Sequence, residues 1–427
     1  MTATNAKPRV IVTTDGEIDD RCSMIRFLLY VNEWDVEGLI YSSSRFHWRG
    51  HNWAGEEWID DQIDLYEDVV DRLQAHDPAY LDPDELRDCV AVGNVADVGA
   101  MDEETPGSDC IVEALLDDKP GPVYLQVWGG TNTVARALKT IEEEYPDRMA
   151  AVAEKAIVYV ILNQDRTLRE YIQPHWPDLQ VLNSFRQFAV FAYNWDELIP
   201  DPEVRAYLED DWMREHVIDD HGPLCGAYPT ADWDEGLFVS EGDTPAYFHQ
   251  IPVGLGGLEH PNYGGWGGRF VREPGSKNVW IGAADDGDRY KPIWRWIPAL
   301  QRDFAARADW CVTEPADANH PPSVVVNGEA GVGSVRRAVE PGAVVTLDGR
   351  ESSDPDGDEL AFEWWHYPEP STGARELAPT IHRPHRAQTT VTVPEDDDRE
   401  DHVILSVTDD GDPPLTRYRR VILETGK

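Results

Sequence analysis

Basic residues are scarce in this sequence, and lysine is the scarcest of them. The chain has 37 Lys and Arg residues against 81 Asp and Glu residues, for a formal net charge of -44, and only seven of the basic residues are lysine. Contacts with nucleic-acid phosphates or anionic lipid headgroups need a basic patch. The charge balance therefore argues against nucleic-acid and membrane partners and favours a small-molecule ligand.

The acidic residues are spread along the chain rather than gathered in one tail. This acid-rich, lysine-poor composition resembles that of haloarchaeal proteins, whose surface carboxylates hold hydration water in high salt. We therefore expect a halophilic protein whose folding requires counter-ions to screen its charge. A single acidic residue is a weak functional signal in such a chain.

Cysteine and long apolar runs are also scarce. The five cysteines are scattered and contain no CxxC spacing, so they indicate neither a zinc site nor a disulfide framework. Residues 1–9 are polar and lead directly into the first predicted strand, and no later run is long enough to cross a bilayer. We expect a cytoplasmic protein without a secretory signal, and the sequence leaves open whether its copies assemble into a homo-oligomer.

The chain is long enough for two domains. Strands alternate with helices up to residue 313, which predicts an α/β domain over 1–313 with a mostly parallel, doubly wound sheet. Residues 314–323 contain three prolines and are predicted to form a linker. Residues 324–427 contain short alternating segments between turns, beginning with Val324 to Val326, and predict an Ig-like β-sandwich domain.

The stretch that organises the α/β domain begins at Val10. Residues 10–12 are β-branched and predict a strand buried on both faces. Met24, Phe27 and Leu28 follow at helical spacing. A strand therefore passes through a tight turn into a helix, and Asp15 lies at the carboxyl end of that strand, where open α/β sheets bind ligands.

Four carboxyl groups occur within six residues of this turn: Asp15, Glu17, Asp19 and Asp20. Aspartates in a first helical turn are common, because the helix dipole favours negative charge there. A cluster of this density, however, repels itself unless it is solvated, protonated or bound to a hard cation. The position of Asp15 favours the cation.

Polar residues also follow two other predicted strands. Thr131 and Asn132 come after residues 122–128, and Gln164 and Asp165 come after residues 156–162. Parallel strands end at one edge of a sheet, so these side chains are expected on the same rim as Asp15. A capped turn between strand and helix explains Thr131 and Asn132 equally well.

Two further segments carry alternative interpretations. Aromatic residues and glycines between residues 247 and 280 include His260 and Trp266, and they predict either a ligand-binding aromatic platform or packed rings. The segment from Asp354 to Asp358 contains Asp-Pro-Asp-Gly, which can hold Ca²⁺ but is more simply an ordinary turn.

The turn formed by Asp15, Gly16, Glu17, Ile18, Asp19 and Asp20 resembles the Asp-Pro-Gly-x-Asp-Asp signature of nucleoside hydrolases, with Gly16 and Glu17 in place of proline and glycine. More widely, the chain resembles the nucleoside-hydrolase-like family formerly labelled cellulose-binding, whose members also carry a C-terminal Ig-like sandwich. The segments that carry this resemblance are 23–40, 128–133, 164–165, 241–245, 264–269 and 353–358.

The resemblance implies a Ca²⁺ site formed by Asp15, Asp20 and the backbone carbonyl of Thr131, with Asp19 on a sugar hydroxyl. It also implies a late carboxylate ligand, for which Asp243 is our first choice and Glu241 our second. The further candidates for substrate binding are Asn132, Gln164, Asp165, His260 and Trp266. No His-Asp pair matches the leaving-group acid of the true hydrolases, and His249 and His260 are the candidates for it.

These residues predict a metal-dependent hydrolase that acts on a nucleoside or another glycoside. A carboxylate-held cation lowers the pKa of a water molecule, and Asp15 serves as the general base that takes its proton. The hydroxide then attacks an anomeric carbon. The alternative is a carbohydrate-binding protein without turnover, in which aromatic residues around Trp266 hold a cellulose-like glycan.

Overall fold

The computed structural model of the chain describes residues 7–228, 240–373, 377–396 and 398–426. An eight-stranded sheet with the order β3-β2-β1-β4-β5-β6-β8-β7 forms the first domain. All neighbouring strands are parallel except β7 and β8. The strands are β1 (Arg9–Thr14), β2 (Asp35–Tyr41), β3 (Val90–Val92), β4 (Val123–Val127), β5 (Ala156–Ile161), β6 (Gln180–Ser184), β7 (Phe270–Arg272) and β8 (Val279–Gly282).

Strand β1 lies at the centre of this sheet and is buried along its whole length. Val10 and Val12 belong to one apolar cluster and Ile11 to another, because successive side chains point to opposite faces. Helix residues cover both faces, for example Phe27 on one side and Leu138 on the other. The predicted doubly wound α/β sheet is therefore confirmed, and strands β3, β6, β7 and β8 add to those that the sequence indicated.

The longer helices are α1 (Ile18–Leu28), α2 (Trp58–Glu67), α3 (Val70–His76), α4 (Pro83–Asp88), α5 (Pro106–Leu116), α6 (Asn132–Glu144) and α7 (Met149–Lys155). Shorter ones follow: α8 (Gln173–His175), α9 (Trp195–Leu198), α10 (Pro202–Arg205), α11 (Asp210–Met213), α12 (Gly222–Gly226), α13 (Thr244–Phe248) and α14 (Lys291–Trp294). Helix α15 (Ile297–Trp310) closes the domain. None of the helices in the described ranges combines the length and the apolar composition of a membrane span.

The sequence also predicts Ser108 as a helix N-cap, one amphipathic helix over residues 293–310 and an irregular segment over residues 194–233, and the structure differs from all three. Thr105, not Ser108, caps helix α5, since its side chain accepts a hydrogen bond from the N–H of Ser108 at 3.2 Å. The long helix expected up to residue 310 is divided into α14 and α15, because Pro298 favours a first helical turn. Short helices occupy much of the irregular segment expected from residue 194, and its part after residue 228 lies outside the described residues.

The second domain is a sandwich of two sheets with the orders β10-β13-β12 and β11-β14-β15-β9. Its strands are β9 (Val335–Ala338), β10 (Val344–Asp348), β11 (Ala361–Tyr367), β12 (Thr380–His382), β13 (Gln388–Thr392), β14 (Glu400–Thr408) and β15 (Thr416–Glu424). Leu347 and Val391 from one sheet meet Trp364 and Leu405 from the other in a shared apolar cluster. Residues 324–326 form no strand, and Val326 makes one isolated bridge with Glu329, because the left-handed Asn327 and Gly328 turn the chain there.

The two domains pack closely against each other. The N–H of Tyr418 donates to the carbonyl of Val253 at 2.9 Å, and the N–H of Arg420 donates to the carbonyl of Gly254 at 3.1 Å. Tyr367 and Tyr418 belong to the same apolar cluster as the core of the α/β domain. One continuous core therefore passes from the parallel sheet into the sandwich.

Candidate active site

The carboxyl end of β1 places Asp15 at the middle of the sheet edge. Gly16 follows with φ +77°, and a β-carbon there would lie 2.8 Å from both Ala54 Cβ and Trp58 Nε1. Only glycine fits this close, left-handed turn. Helix α1 begins two residues later, so Asp19 and Asp20 project from its first turn beside Asp15.

Asp243 joins these residues from the start of α13, more than two hundred residues later in the chain. Carboxylate oxygens of Asp19, Asp20 and Asp243 lie within 4.8 Å of one another. The three side chains are 8%, 1% and 2% exposed, respectively. A β-carbon on Gly242 would lie 2.5 Å from Asp19 Oδ2, so this glycine allows the backbone to approach the cluster closely.

Burial and mutual repulsion dominate the electrostatics of this cluster. Burial, and next the charge of Asp15, raises the pKa of Asp20 well above its usual range. Burial and the charges of the neighbouring carboxylates likewise raise the pKa of Asp19 and of Asp243. Because a nearby positive charge would lower these values, the cluster favours a bound cation.

Asp15 is the least satisfied member of the group. It is 2% exposed, and both of its carboxylate oxygens lack a hydrogen-bond partner. His47 Nδ1 is 3.7 Å from Asp15 Oδ2 and 3.5 Å from Glu17 Oε2. Within the described part of the chain, no lysine or arginine forms an ion pair with Asp15, Glu17, Asp19, Asp20 or Asp243. The imidazole of His47 is thus the basic group beside this cluster, and it lies next to Asp15 and Glu17.

His47 and Tyr193 form the outer side of the site. Burial lowers the pKa of His47, because it disfavours the charged imidazole. The carboxylates of Asp15 and Glu17 outweigh this effect and raise the pKa to about 9. Burial raises the pKa of Glu17, but hydrogen bonds from His47 and Tyr193 outweigh burial and lower the pKa of this carboxyl below its usual value. The Tyr193 hydroxyl donates to Glu17 and also approaches Asp19 at 3.4 Å.

A cavity of about 290 Å³ opens beside these carboxylates. Aromatic and apolar side chains form most of its remaining wall. Its lining residues are Glu17, Asp19, Asp20, Phe46, Ile161, Leu162, Gln164, Phe188, Ala189, Ala192, Tyr193, Asn194, Leu198 and Asp243. A cavity of about 350 Å³ beside Glu154 and Asp178 lies at the amino ends of β5 and β6 and contains none of the predicted site residues.

The residues at the carboxyl end of β1 fit a hard divalent cation. They supply only oxygen ligands, which Ca²⁺ and Mg²⁺ prefer. The two carboxylate oxygens of buried Asp15 make no hydrogen bond and so have unused acceptor capacity. Two groups at this edge have side-chain atoms close enough to share an ion: Asp15, Glu17 and His47 form one, and Asp19, Asp20 and Asp243 form the other.

The structure places the other predicted rim residues in two different environments. Gln164 lines the cavity, and its Oε1 has no hydrogen-bond partner. Asn132 is buried away from the cavity, where its amide nitrogen donates to Ser43 Oγ at 3.0 Å and to the carbonyls of Asn94 and Ala100 at 2.6 and 2.9 Å. Asn132 thereby connects three segments of the domain.

Thr131 and Asp165 form a pair next to Asn132. The Thr131 hydroxyl donates to Asp165 Oδ1 at 3.0 Å. The carbonyl of Thr131 accepts the N–H of Ala135 at 2.8 Å in the first turn of α6. Burial raises the pKa of Asp165, and Asp165 Oδ2 has no partner. Neither residue lines the cavity.

Trp266, His260 and His249 lie away from the cavity. Trp266 is 1% exposed and belongs to the main apolar cluster. His260 Nδ1 accepts the N–H of Asn262 at 3.1 Å, and its ring packs edge-on against Trp280. Burial lowers the pKa of His249 to about 4, so this imidazole is neutral near pH 7. The described residues around Trp266 therefore form packed structure rather than an exposed platform.

Glu241, the second choice for the late carboxylate, has a different role. It forms a buried ion pair with Arg26 at 2.8 Å. Tyr228 also donates its hydroxyl to Glu241 at 2.9 Å. Its charge is therefore already compensated by arginine, which leaves Asp243 as the late carboxylate of the cluster.

Sequence reasoning missed His47, Tyr193 and the aromatic wall formed by Phe46 and Phe188. A signal for His47 was present, because Ser42 to Ser44 directly follow β2 and mark its carboxyl end beside β1. Tyr193 and Phe188 come from a segment without a regular hydrophobic period, so the sequence gave no indication of their direction.

Two family models match the chain. One, described as "Cellulose-binding Sde182, nucleoside hydrolase-like domain", matches residues 9–270, and the other, "Cellulose-binding protein Sde0182, C-terminal domain", matches residues 344–425. No curated protein matches.

Solved structures agree with the fold. One similar structure is that of a nucleoside hydrolase-related hypothetical protein from Saccharophagus degradans that is associated with carbohydrate metabolism. The two chains are 28% identical with a TM-score of 0.83, and the match covers 98% of this chain and 100% of that chain. The effector protein XOO4466 is only 10% identical, with a TM-score of 0.34 over 73% of this chain and 95% of that chain, which is too weak to support an argument.

Proposed function

Since the chain belongs to the family of the cellulose-binding Sde182 nucleoside hydrolase-like domain, we propose that it is a metal-dependent hydrolase of N- or O-glycosidic bonds. The proposed substrate is a nucleoside or another small glycoside. The observation that carries the proposal is the group of three buried carboxylates beside the cavity, those of Asp19, Asp20 and Asp243, next to buried Asp15, whose two oxygens are unpartnered.

A bound Ca²⁺ would supply Lewis-acid chemistry by lowering the pKa of a water molecule and orienting sugar hydroxyls. The side chains proposed to hold it are Asp15, Asp20 and Asp243. Thr131 remains a proposed carbonyl ligand, although its carbonyl also accepts a helix N–H. A carbonyl oxygen has two lone pairs, so the two roles are compatible.

Asp15 is the proposed general base. Its carboxylate is buried and without a hydrogen-bond donor, so it can accept the proton of a water molecule that attacks an anomeric carbon. Asp19 lines the cavity and is proposed to accept a hydrogen bond from a ring hydroxyl, which stabilises the oxocarbenium-like transition state.

The cavity wall accounts for binding of the rest of the substrate. Gln164 lines the cavity and has a side-chain carbonyl oxygen without a hydrogen-bond partner, and it is proposed to accept a hydrogen bond from a substrate hydroxyl. Phe46, Phe188 and Tyr193 provide aromatic surface against which a sugar ring or base can pack. Asp165, Asn132 and His260 remain candidates that would act indirectly, since they do not line the cavity.

The second candidate function is carbohydrate binding without turnover. The family label and the association of the similar structure with carbohydrate metabolism favour it. The two functions make different demands on the site, because binding requires the aromatic wall whereas hydrolysis also requires the carboxylate cluster.

A hydrolysis screen in high salt tests the proposal. Purified protein is stripped of metal, returned to Ca²⁺ or left in chelator, and incubated with nucleosides and oligosaccharides while the release of reducing sugar is measured. We expect release that depends on Ca²⁺. Sugar affinity without release in either condition would instead establish the binding function.

A further inference from the structure

A second group of acidic residues lies in the sandwich, far along the chain from the cavity. Asp354 Oδ1 accepts the N–H groups of Asp356, Gly357 and Asp358 at 2.8, 3.0 and 3.2 Å. These bonds form the turn that the sequence favoured. They use only one carboxylate oxygen, and Asp354 Oδ2 is buried without a partner.

Asp409, at the end of β14, presents a second unpartnered oxygen. Its side chain is 4% exposed, and Oδ1 accepts hydrogen bonds from Asn319 Nδ2 at 2.9 Å and from the N–H groups of Gly411 and Leu415 at 3.2 and 2.9 Å. Its Oδ2 is buried and makes no hydrogen bond. This oxygen requires an explanation, because a buried carboxylate is costly unless it is paired.

Asn319, in the segment between the domains, is likewise a buried side chain with one hydrogen-bonded atom and one unpartnered oxygen. It is 7% exposed, and its amide nitrogen is used by Asp409 and by the carbonyl of Pro413 at 2.8 Å. The Asn319 Oδ1 is buried without a partner. Two side chains that are more than nine-tenths buried therefore each retain an unpartnered oxygen.

The fold brings together the three segments that contain Asn319, Asp354 to Asp358, and Asp409. Ala361 is paired with Thr408 between β11 and β14, so Asp409 lies beside the residues that precede β11. The N–H of Glu359 donates to Asp410 Oδ1 at 2.7 Å, which fastens the two loops directly. Oxygens of Asp354, Asp356 and Asp358 lie within 4.8 Å of one another.

The carboxylates of this group also repel one another electrostatically. Burial raises the pKa of Asp409, and the negative charge of Asp354 raises it further. The pKa of Asp358 is raised by partial burial and by the charges of Asp354, Asp410 and Asp409. Of the basic side chains in the described ranges, only His320 forms an ion pair with this group, at 3.1 Å from Asp356.

We propose that Asp354, Asp358, Asp409 and Asn319 form a structural Ca²⁺ site at the end of the sandwich, with Asp356 as an outer ligand. The donors are all oxygens, which Ca²⁺ prefers, and they come from three loops, so that water molecules can complete the six to eight ligands typical of this ion. This site is separate from the cavity of the α/β domain and has no role in the proposed hydrolysis.

The position of the site gives it a specific structural effect. Asn319 and His320 belong to the segment between the domains, and His320 Nε2 is 2.9 Å from Nδ1 of His76 in α3. Asp356 also accepts the backbone N–H of His320 at 2.7 Å. The cation would therefore fasten the connecting segment to the sandwich on one side, while the histidine pair links it to the α/β domain on the other.

Calorimetric titration of the metal-stripped full chain with CaCl₂ tests the site. Asp354→Asn and Asp358→Asn each remove one charge at nearly constant size, and only the backbone N–H of Asp358, which the substitution keeps, takes part in the turn. Glu351→Gln removes one charge from the same exposed surface outside the group and serves as the control. Asp20→Asn reports on the other predicted site, so the two sites are counted independently.

We expect the wild-type protein and Glu351→Gln to show a Ca²⁺-binding event that Asp20→Asn retains. This event should be lost, or weakened by roughly tenfold or more, in Asp354→Asn and in Asp358→Asn. Ca²⁺ should also slow proteolysis between residues 314 and 323 in the wild-type protein but not in these two variants. Full retention of the event in both variants, or its removal by Asp20→Asn alone, would overturn the proposal.

Discussion

The carbonyl oxygen of Tyr418 lies so close to Gly254 that no side chain fits at position 254. A β-carbon on Gly254 would lie 1.8 Å from this oxygen, and Gly254 has φ +93°. The same two segments exchange backbone hydrogen bonds between the α/β domain and β15. The contact therefore fixes the distance between the two domains at one point of their interface.

Replacing Gly254 by alanine is expected to destabilise the whole protein. The clash involves backbone on both sides, so relief requires the domains to shift, at a cost of roughly 2 to 4 kcal/mol in the free energy of unfolding. Gly287→Ala is the matched control, because Gly287 has φ +83° with no atom within 4 Å of the added carbon. This control should lose about 1 kcal/mol. Denaturant unfolding measures both, and equal losses would show that the interface tolerates the shift.

Asp15→Asn is expected to abolish most turnover while leaving the fold intact. Asparagine keeps the size of the side chain but cannot accept a proton from water. The loss should therefore fall on kcat, by about 10² to 10⁴. Asp35→Asn is the control, since Asp35 is an exposed residue at the opposite end of the neighbouring strand β2. Full activity of Asp15→Asn would assign the general base to another residue.

His249 should make the protein less stable in mild acid. The pKa of the folded side chain is about 4, against roughly 6.5 in the unfolded chain. Between these values the unfolded state binds the additional proton, so stability falls as the pH decreases through this window. At pH 5 the contribution is about 2 kcal/mol.

His249→Phe removes this titration and keeps a ring between Tyr159 and Phe270, which lie 5.7 and 6.1 Å from the imidazole centre. Unfolding free energies of both proteins are measured at pH 7 and pH 5. The wild-type protein should lose more stability than the variant over this interval. An equal loss in both would mean that His249 is protonated in the folded state.

Salt should stabilise the protein strongly. With a net charge of -44, the folded chain repels itself, and counter-ions screen this repulsion over distances of about 10 Å or less. Melting temperatures in dilute and in molar KCl test the halophilic interpretation, with neutral sucrose as the control for non-ionic stabilisation. A higher melting temperature in dilute KCl would contradict it.

The sequence predicted the central part of the fold because its signals were local. The β-branched run from Val10 to Val12 and the helical period after Asp20 are confirmed. A shared metal site for the early aspartates remains a prediction, since Asp15 groups with Glu17 and His47, and Asp19 and Asp20 group with Asp243. The choice of Asp243 over Glu241 came from the family resemblance, and the geometry agrees with it. No local pattern distinguishes the two residues, since only the position of Arg26 in three dimensions shows which carboxylate is already paired.

The sequence was less informative about aromatic residues. Trp266 was expected near a ligand, yet it is buried between the domains, with the guanidinium of Arg417 5.9 Å from its ring. Aromatic side chains serve equally well as binding surfaces and as core, and their spacing among glycines does not separate the two uses. The aromatic residues that do line the cavity, Phe46, Phe188 and Tyr193, came from segments without any periodic pattern.

Because one apolar core continues from the parallel sheet into the sandwich, the two domains differ in their strand topology but share buried side chains. Tyr367 and Tyr418 contribute to the apolar cluster of the parallel sheet, and Arg420 donates to the carbonyl of Leu255 at 2.6 Å. A chain cut within residues 314–323 would expose apolar surface on both fragments. The sandwich therefore covers apolar surface of the α/β domain, and the two halves could be separated only if another surface covered it.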